Sequence, residues 1–379
     1  MILRRLLRAA PAAFLLLAAA GNAAAGMSFT EDETALILAQ GPWPVATGPD
    51  PSNRVSGNAD AIAFGKLLFE STAISKGRDR ACSACHREAE AFGDGLPRGI
   101  GIAKVDRNTP PLFNLLLNRW FAWDGKSDSL WAQSIPPILD PRELALTPGE
   151  LRDRIAGTPE LAAPYRKIFG TEPAKRAPEA MLADIGKALA AFQETIVSGK
   201  SDFDRFRDAL EAGDRSRIAA YPDEAKRGLR LFVGRGQCVL CHFGPNFTSG
   251  EFHDIGLPHM PEPGRVDPGR YGGIKSLREN PFNLMGRYND DQGRTTAGFT
   301  RHVHLIQRNW GEFRIPSLRN VALTAPYMHD GGKATLEDVV RHYNEIDESR
   351  LHQDGEKLLK PLHLSDAEIA DLVAFLKTL

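Results

Sequence analysis

The sequence predicts a mainly α-helical protein built from two similar halves, each with long loops. A five-residue pattern, Cys-x-x-Cys-His, occurs at 82–86 and again at 238–242, and the two copies use all four cysteines. Each copy follows the same helical pattern, Gly-x-x-Leu-Phe, which begins at Gly65 in the first half and at Gly228 in the second. Alternating apolar patterns typical of strands are sparse. Together these observations indicate a duplicated small helical domain.

Each half is also predicted to close with a helix. One apolar helical face contains Leu182, Ile185, Leu189, Phe192 and Ile196, and another contains Ile369, Leu372, Val373 and Leu376. The last helix is predicted to begin with a capping box formed by Ser365 and Glu368. A glycine inside a helix costs about 1 kcal/mol relative to alanine. The matched Gly65 and Gly228 therefore predict helices that pack closely against each other.

The first 25 residues have the pattern of a signal peptide. Arg4, Arg5 and Arg8 precede an apolar run at 9–20, and three alanines at 23–25 fit a cleavage site. The apolar run is shorter than the roughly 20 residues that a membrane-spanning helix needs. We therefore predict a cleaved signal peptide at 1–25 and no membrane span.

The rest of the chain is long enough for two domains. About 350 residues exceed one small hydrophobic core. We predict an N-terminal domain at 26–200 that starts with an extended arm to residue 58, a linker at 201–222, and a C-terminal domain at 223–379. The net charge is −1, from 47 basic and 48 acidic residues. This balance argues against an electrostatic footprint for nucleic acid or for an anionic membrane surface.

The repeated Cys-x-x-Cys-His motif is typical of covalent haem c attachment. The two thiols of each motif, Cys82 with Cys85 and Cys238 with Cys241, would bind the haem vinyl groups. The adjacent His86 or His242 would ligate the iron from one side. Paired cysteines can also bind zinc, but the two pairs of a zinc site are usually separated by about 15–20 residues, and here by about 150. A thioredoxin-like redox pair is disfavoured because neither motif lies in a βαβ pattern.

Several further motifs resemble the bacterial di-haem cytochrome c peroxidase family over nearly all of the chain after the signal peptide. They are Asp-Arg-Asn-Thr-Pro at 106–110, Trp-Asp-Gly at 123–125, Ser-Asp-Phe-Asp-Arg at 201–205 and the long run from Pro316 to Gly331. The resemblance implies two cytochrome c-like domains, with a peroxide-reacting haem in the first and an electron-relaying haem in the second. Covalent haem attachment in Gram-negative bacteria also implies a periplasmic location.

The first haem is predicted to keep an open coordination position. No histidine occurs between His86 and His242, and the only methionine between them is Met181, beside an apolar helical face where it also suits a core. Ordinary family members often carry a histidine on a loop that blocks this haem until activation. Its absence resembles the MauG-like subgroup, in which the first haem stays open.

The second haem has several candidate ligands after His242, namely Met328, His329, His342 and Tyr343. Methionine is favoured by residue type, and Tyr343 would then be a buried aromatic residue. The family's axial position, however, is the ninth residue counted from the Thr335-Leu-Glu triplet, and that residue is Tyr343. Tyrosine at this position again resembles the MauG-like subgroup.

The resemblance also assigns roles to other residues. It implies that Glu143 and Gln133 act in the peroxide pocket and that Trp123 relays electrons between the haems. Without the family resemblance, Glu143 and Gln133 would be interpreted as solvated polar residues, and Trp123 as a packing residue. It further implies an interdomain calcium bound by the Asn108 side chain and by the backbone carbonyls of Thr324 and Pro326, because calcium prefers oxygen ligands.

We therefore expect an oxidoreductase that reduces hydrogen peroxide. Its electrons would come from a small cytochrome c or cupredoxin, or from a protein substrate that it oxidises. The alternative is a non-enzymatic di-haem electron-transfer protein, which predicts two six-coordinate haems.

Overall fold

The computed structural model describes residues 27–257, 264–351 and 359–379. The predicted signal peptide at 1–25 lies outside the described residues. The helices of the first half are α1 (Glu31–Leu38), α2 (Ala59–Glu70), α3 (Leu130–Gln133), α4 (Pro136–Leu139), α5 (Pro148–Gly157), α6 (Pro159–Phe169) and α7 (Pro178–Gln193). Those of the second half are α8 (Asp202–Ala212), α9 (Arg215–Ala220), α10 (Asp223–Val233), α11 (Arg270–Glu279), α12 (Gly298–His302), α13 (Leu336–Asn344) and α14 (Asp366–Leu376). The prediction of a mainly helical fold is confirmed.

The two halves are built around equivalent helix pairs that cross at a glycine. A Cβ atom added to Gly65 on α2 would lie 2.0 Å from the Ala188 carbonyl oxygen on α7. A Cβ atom on Gly228 of α10 would lie 1.9 Å from the Asp371 carbonyl oxygen on α14. Only glycine lets the backbones approach so closely, so the predicted close packing is confirmed in both halves. The capping box of Ser365 at the start of α14 is also confirmed.

Each half has its own buried core. The first core contains Phe64, Leu68, Trp131, Met181, Ile185 and Leu189, and the second contains Leu229, Phe232, Val340, Ile369, Leu372 and Phe375. The two cores are not separated strictly by sequence, because Phe282 and Leu284 from the second half pack into the first core. A long loop of the second half thus contacts the first half.

Two segments differ from their predicted character. The predicted extended arm contains α1, because Thr30 and Glu33 form a capping box that starts a helix, and Ile37 of α1 joins the second core. The predicted linker at 201–222 is folded as α8 and α9, and its Phe203 and Phe206 are buried in the second core. The exact domain boundaries stay a prediction.

The halves meet at a short antiparallel ribbon and an ion-pair cluster. Strands β1 (Phe252–His253) and β2 (Phe313–Arg314) pair in the second half, and the Arg314 N–H donates to the Trp123 carbonyl of the first half at 2.8 Å. Arg107 of the first half pairs with both Asp124 and Asp267, at 2.7 Å each. These contacts position Trp123 against the second half. In the part of the chain that the structure describes, no helix is long and apolar enough to cross a membrane.

Candidate functional site

Both Cys-x-x-Cys-His motifs fold into the same local structure. Each begins with a 3₁₀ turn, and the histidine N–H donates to the first cysteine carbonyl, at 3.0 Å for His86 and 2.9 Å for His242. The His86 Nδ1–H donates to the Phe92 carbonyl at 3.0 Å, and the His242 Nδ1–H donates to the Phe247 carbonyl at 3.1 Å. This bond leaves Nε2 with its lone pair, the form in which imidazole binds a metal.

Burial keeps both imidazoles neutral. It lowers the pKa of His86, and it lowers the pKa of His242 to about 4. The cysteine pairs lie in separate halves, since Cys82 packs against the first core and Cys238 against the second. This separation does not fit a zinc site shared by both pairs, whereas it fits one haem in each half.

A cavity of about 500 Å³ lies beside the first motif. Its lining includes Cys82, Cys85 and His86, the predicted site residues Asn108, Trp123, Gln133 and Glu143, and the apolar Phe69, Leu112, Leu130 and Leu189. Apolar side chains and convergent polar groups thus line the same space, as in a cofactor pocket. The donor set and the walls fit a haem attached to Cys82 and Cys85. The tertiary structure thus brings together residues as far apart in the sequence as Phe69 and Leu189.

The cavity offers one imidazole and no other strong haem ligand. Among its lining residues, all of which the structure describes, His86 is the only histidine, and there is no methionine or tyrosine. Met181 is fully buried in the first core and does not line the cavity. The geometry therefore favours the core role for Met181 and an open position opposite His86.

Glu143 is the carboxylate that acts most strongly on the Cys82 thiol, whereas at Cys85 the effect of Asp94 is larger. The Glu143 carboxylate adds to the effect of burial in raising the pKa of the Cys82 thiol to about 12, and it also acts on Cys85. Burial raises the pKa of Glu143 itself above its usual value, and the charge of Lys126 partly offsets this. Gln133 faces the same cavity with a buried Oε1 that accepts no hydrogen bond from any described residue. Both polar groups are thus placed to contact a small molecule in the cavity.

Trp123 lies between the cavity and the second motif. Its indole lines the cavity, and its Nε1–H donates to the Asn108 carbonyl at 2.9 Å. Its own carbonyl accepts from Arg314, and two residues further on the Pro316 carbonyl lies beside the His242 ring. A short stretch of backbone therefore connects the Trp123 environment to the imidazole of the second half.

Tyr343 lies beside the second motif, as predicted from the family register. Burial is the largest cause that raises the pKa of its hydroxyl, and the nearby Cys238 and Cys241 thiols add to it. The proximity to both thiols parallels that of Glu143 in the first half. Tyr343 is on α13, which packs on α14 next to the haem-binding turn.

The other candidates for the second haem are placed differently. The His342 Nε2–H donates to the Ile255 carbonyl at 2.7 Å, and the His329 ring stacks on Phe313 with a centroid distance of 3.5 Å. Met328 lies in the turn at 327–333, where Gly331 packs tightly against Pro97 of the first half. This turn belongs to the contact between the halves.

The predicted calcium ligands approach one another at the same contact. The Asn108 backbone N–H donates to the His329 carbonyl at 2.8 Å, three residues after Pro326. The Asn108 Nδ2 donates to the Leu96 carbonyl at 3.0 Å, which leaves Oδ1 as the acceptor atom of this side chain. In the described part of the chain, no hydrogen bond occupies the carbonyl oxygens of Thr324 and Pro326. The oxygen atoms are of the type that calcium binds.

Arg314 is a site residue that sequence reasoning missed. It is 8% exposed, lines the cavity, and donates from Nε to the Ala122 carbonyl at 3.2 Å. Burial lowers its pKa to about 10, and among the described residues no carboxylate pairs with it. A buried cation without an anionic partner suits the carboxylate groups that a haem carries. Its position directly before the long family motif was the available signal.

The fold and the site define a helical protein with two c-type haem sites, of which the first lies beside a cavity. The protein belongs to the di-haem cytochrome c peroxidase family. The family model for di-haem cytochrome c peroxidase matches residues 59–212. The chain is 34% identical to methylamine utilization protein MauG of Methylorubrum extorquens, over 97% of this chain and 91% of that protein.

Two further relatives agree with this assignment. Cytochrome-c peroxidase IdrP1 of Denitromonas iodatirespirans is 32% identical, over 85% of this chain and 81% of its own. A crystal structure of a MauG-like protein associated with microbial copper homeostasis is 26% identical, with a TM-score of 0.63 over 89% of this chain and 95% of its own. The protein is therefore an oxidoreductase of a peroxide-reducing family.

Proposed function

We propose that this protein reduces hydrogen peroxide in the cavity of the first half with electrons drawn from another protein. The observation that supports this is the cavity that His86, Glu143 and Gln133 line together, with no second histidine and no methionine or tyrosine in its lining. An electron carrier needs no open position, whereas a peroxidase does. This lining therefore favours an enzyme over the alternative of a non-enzymatic di-haem carrier.

A haem bound at His86 supplies the redox chemistry, and the surrounding residues position peroxide and move its protons. The Glu143 carboxylate accepts the proton of the nearer peroxide oxygen and returns it to the leaving oxygen as water. The raised pKa of Glu143 suits both roles, because a group whose pKa lies closer to the working pH can both take up and release a proton. Gln133 has an unfilled acceptor atom directed at the same space and orients the second oxygen.

Electrons reach the first half through Trp123. An indole can lose and regain single electrons, and the Asn108 carbonyl at its N–H stabilises positive charge on the ring. In this proposal Tyr343 would bind the iron of the second haem, with Met328 as the alternative. A phenolate favours ferric and higher oxidation states, so the second half would store an oxidising equivalent as well as pass electrons.

Family membership supports the proposed partner and location. A small cytochrome c or cupredoxin supplies the electrons, or a protein substrate gives them up and is itself modified, as the MauG-like features favour. We place the protein in the periplasm, where haem c is attached. A calcium ion held by Asn108, Thr324 and Pro326 joins the two halves.

The direct test adds hydrogen peroxide to the isolated, fully oxidised protein and follows its visible spectrum. We expect a high-spin ferric signal beforehand and a long-lived spectral change on mixing, without prior reduction, because the first site is already open. The carrier alternative predicts two low-spin haems and no reaction. A reaction that starts only after half-reduction would contradict the MauG-like proposal.

Replacing Tyr343 by methionine is expected to change the low-spin spectrum and raise the potential of the second haem by on the order of 0.1 V or more, because a neutral thioether favours ferrous iron. Spectroelectrochemical titration measures both. Tyr327→Phe is the matched control, since this tyrosine is in the same half and its hydroxyl donates to the Val321 carbonyl. An unchanged low-spin spectrum in Tyr343→Met would remove Tyr343 as the ligand.

A further inference from the structure

The five tryptophans differ in whether a cation lies over the ring. Three buried tryptophans carry one, in the pairs Trp43 with Arg319 at 3.6 Å, Trp120 with Arg270 at 4.3 Å, and Trp131 with Lys187 at 5.1 Å from the ring centroid. Trp123 and Trp310 carry none among the described residues. Of these two, only Trp123 lines the haem cavity. The tryptophan that would relay electrons is therefore the one at the site without a cation over its ring.

The cations near Trp123 do not lie over its ring. The buried Arg314 lines the same cavity and donates from Nε to the Ala122 carbonyl at 3.2 Å. The Arg107 guanidinium is held by Asp124 and Asp267 and lies over the Phe313 ring. The indole N–H of Trp123 instead points at a carbonyl oxygen, whose partial negative charge faces the ring edge. Among the described residues, Trp123 thus has no cation over its ring to oppose a positive charge on the indole, whereas Trp120 has one.

A cation over an indole has opposite effects on the two oxidation states of the ring. The neutral ring attracts the cation through its negative face. An indole that has lost one electron carries a positive charge, and the same cation then repels it strongly in a buried, weakly screened site. Such a tryptophan is harder to oxidise than one without the cation.

Arg270 is held firmly in this position. It is 4% exposed, lies between the Trp120 and Phe252 rings, and donates to the Gly125 carbonyl at 2.8 Å. Burial lowers its pKa to about 10, so the guanidinium remains charged at neutral pH. Trp120 itself is only three residues from Trp123.

Oxidation of Trp120 would place the positive charge outside the haem cavity. Trp120 lines a different cavity of about 790 Å³, together with Phe299, His302 and His304. This cavity shares no lining residue with the haem cavity. Oxidation of Trp120 would therefore bypass Trp123, the residue that relays electrons in the proposed function.

We propose that Arg270 is a positioning residue for electron transfer, which confines oxidation to Trp123 by keeping a positive charge over the neighbouring Trp120. This inference rests on the relay role of Trp123 in the proposed function. In the productive reaction, one peroxide takes up two electrons and two protons and yields two water molecules. Each electron leaves the Trp123 indole and is replaced by one from the donor protein. In the unproductive reaction, the Trp120 indole gives up both electrons, and peroxide and indole become water and hydroxyindole.

The test compares Arg270→Gln with Arg270→Lys in the haem-loaded protein treated with peroxide and no donor. Peptide mass spectrometry measures hydroxylation at Trp120, with Trp310 as the internal reference. We expect Arg270→Gln to raise Trp120 hydroxylation by about tenfold or more, and Arg270→Lys to suppress that rise because it keeps a cation. Adding Trp120→Phe to Arg270→Gln is expected to restore the yield of oxidised donor per peroxide. If Arg270 had only a structural role, adding Trp120→Phe would not restore the yield of oxidised donor.

Arg119→Gln is the matched control. Arg119 is next to Trp120 in the sequence, but its guanidinium lies over the exposed Phe299 ring, 3.5 Å from the centroid. This variant is expected to leave Trp120 hydroxylation unchanged. The inference is overturned if Arg270→Gln leaves Trp120 hydroxylation at the wild-type level while Trp123→Phe slows donor oxidation. If Trp123→Phe does not slow donor oxidation, the relay itself is wrong and the inference fails with it.

Discussion

Replacing Glu143 by glutamine is expected to slow the reaction with hydrogen peroxide by about 10²- to 10⁴-fold, the usual contribution of a positioned general acid and base. Glutamine has nearly the same shape but cannot accept the peroxide proton. The wild-type rate is expected to fall on the acid side, because the carboxylate is lost as pH decreases through its pKa. Burial places that pKa above the ordinary value of 4.5. Stopped-flow mixing with peroxide across a pH series measures both effects.

In the Glu143→Gln variant, we expect a lower rate that no longer decreases toward acid pH. Glu160→Gln is the matched control, since Glu160 is an exposed glutamate at the start of α6 in the same half. An acid limb that persists in Glu143→Gln would assign it to another group. A decrease no larger than that of Glu160→Gln would contradict the catalytic role of Glu143.

Replacing Gly228 by alanine is expected to destabilise the second half by about 2–4 kcal/mol, through overpacking at a backbone contact. The new methyl group would lie 1.9 Å from the Asp371 carbonyl and 2.8 Å from the Phe375 Cβ. Neither atom is the end of a flexible side chain, so α10 and α14 have to move apart. Denaturant unfolding followed by circular dichroism measures the loss as a lower midpoint.

Gly149→Ala provides the comparison for this effect. Gly149 lies in α5, and a Cβ atom there would meet nothing within 4 Å. Alanine is the better helix former, so this variant is expected to be neutral or stabilised by up to about 1 kcal/mol. Equal midpoints for Gly228→Ala and Gly149→Ala would show that the helix crossing tolerates a side chain.

The elements that sequence reasoning predicted are those with short-range causes. The Cys-x-x-Cys-His turns need five consecutive residues, and the capping box of Ser365 needs four. Gly65 and Gly228 also allowed a tertiary contact to be predicted, because a glycine within a good helix pattern implies a closely packed neighbour. The identity of that neighbour, a carbonyl on α7 or α14, required the packed structure.

Two predictions were wrong, one because a local helix signal was missed and one because packing overruled a polar pattern. Residues 31–38 lie in a loop-like region, yet the Thr30 capping box starts α1, and Ile37 is buried in the second core. The charged segment at 201–222 suggested a linker, but Phe203 and Phe206 anchor it as helices. In both segments one or two apolar residues were enough to fold a polar stretch onto a core.

By itself, the sequence determined the helical class, the duplication, the two haem-attachment motifs and, through family motifs, the choice of Glu143, Trp123 and Tyr343. Only the tertiary structure decided which of these groups face a common cavity, and that Met181 belongs to the core. It also decided which tryptophans carry a cation. These properties depend on contacts between residues far apart in the chain, whose distances and burial no local pattern encodes.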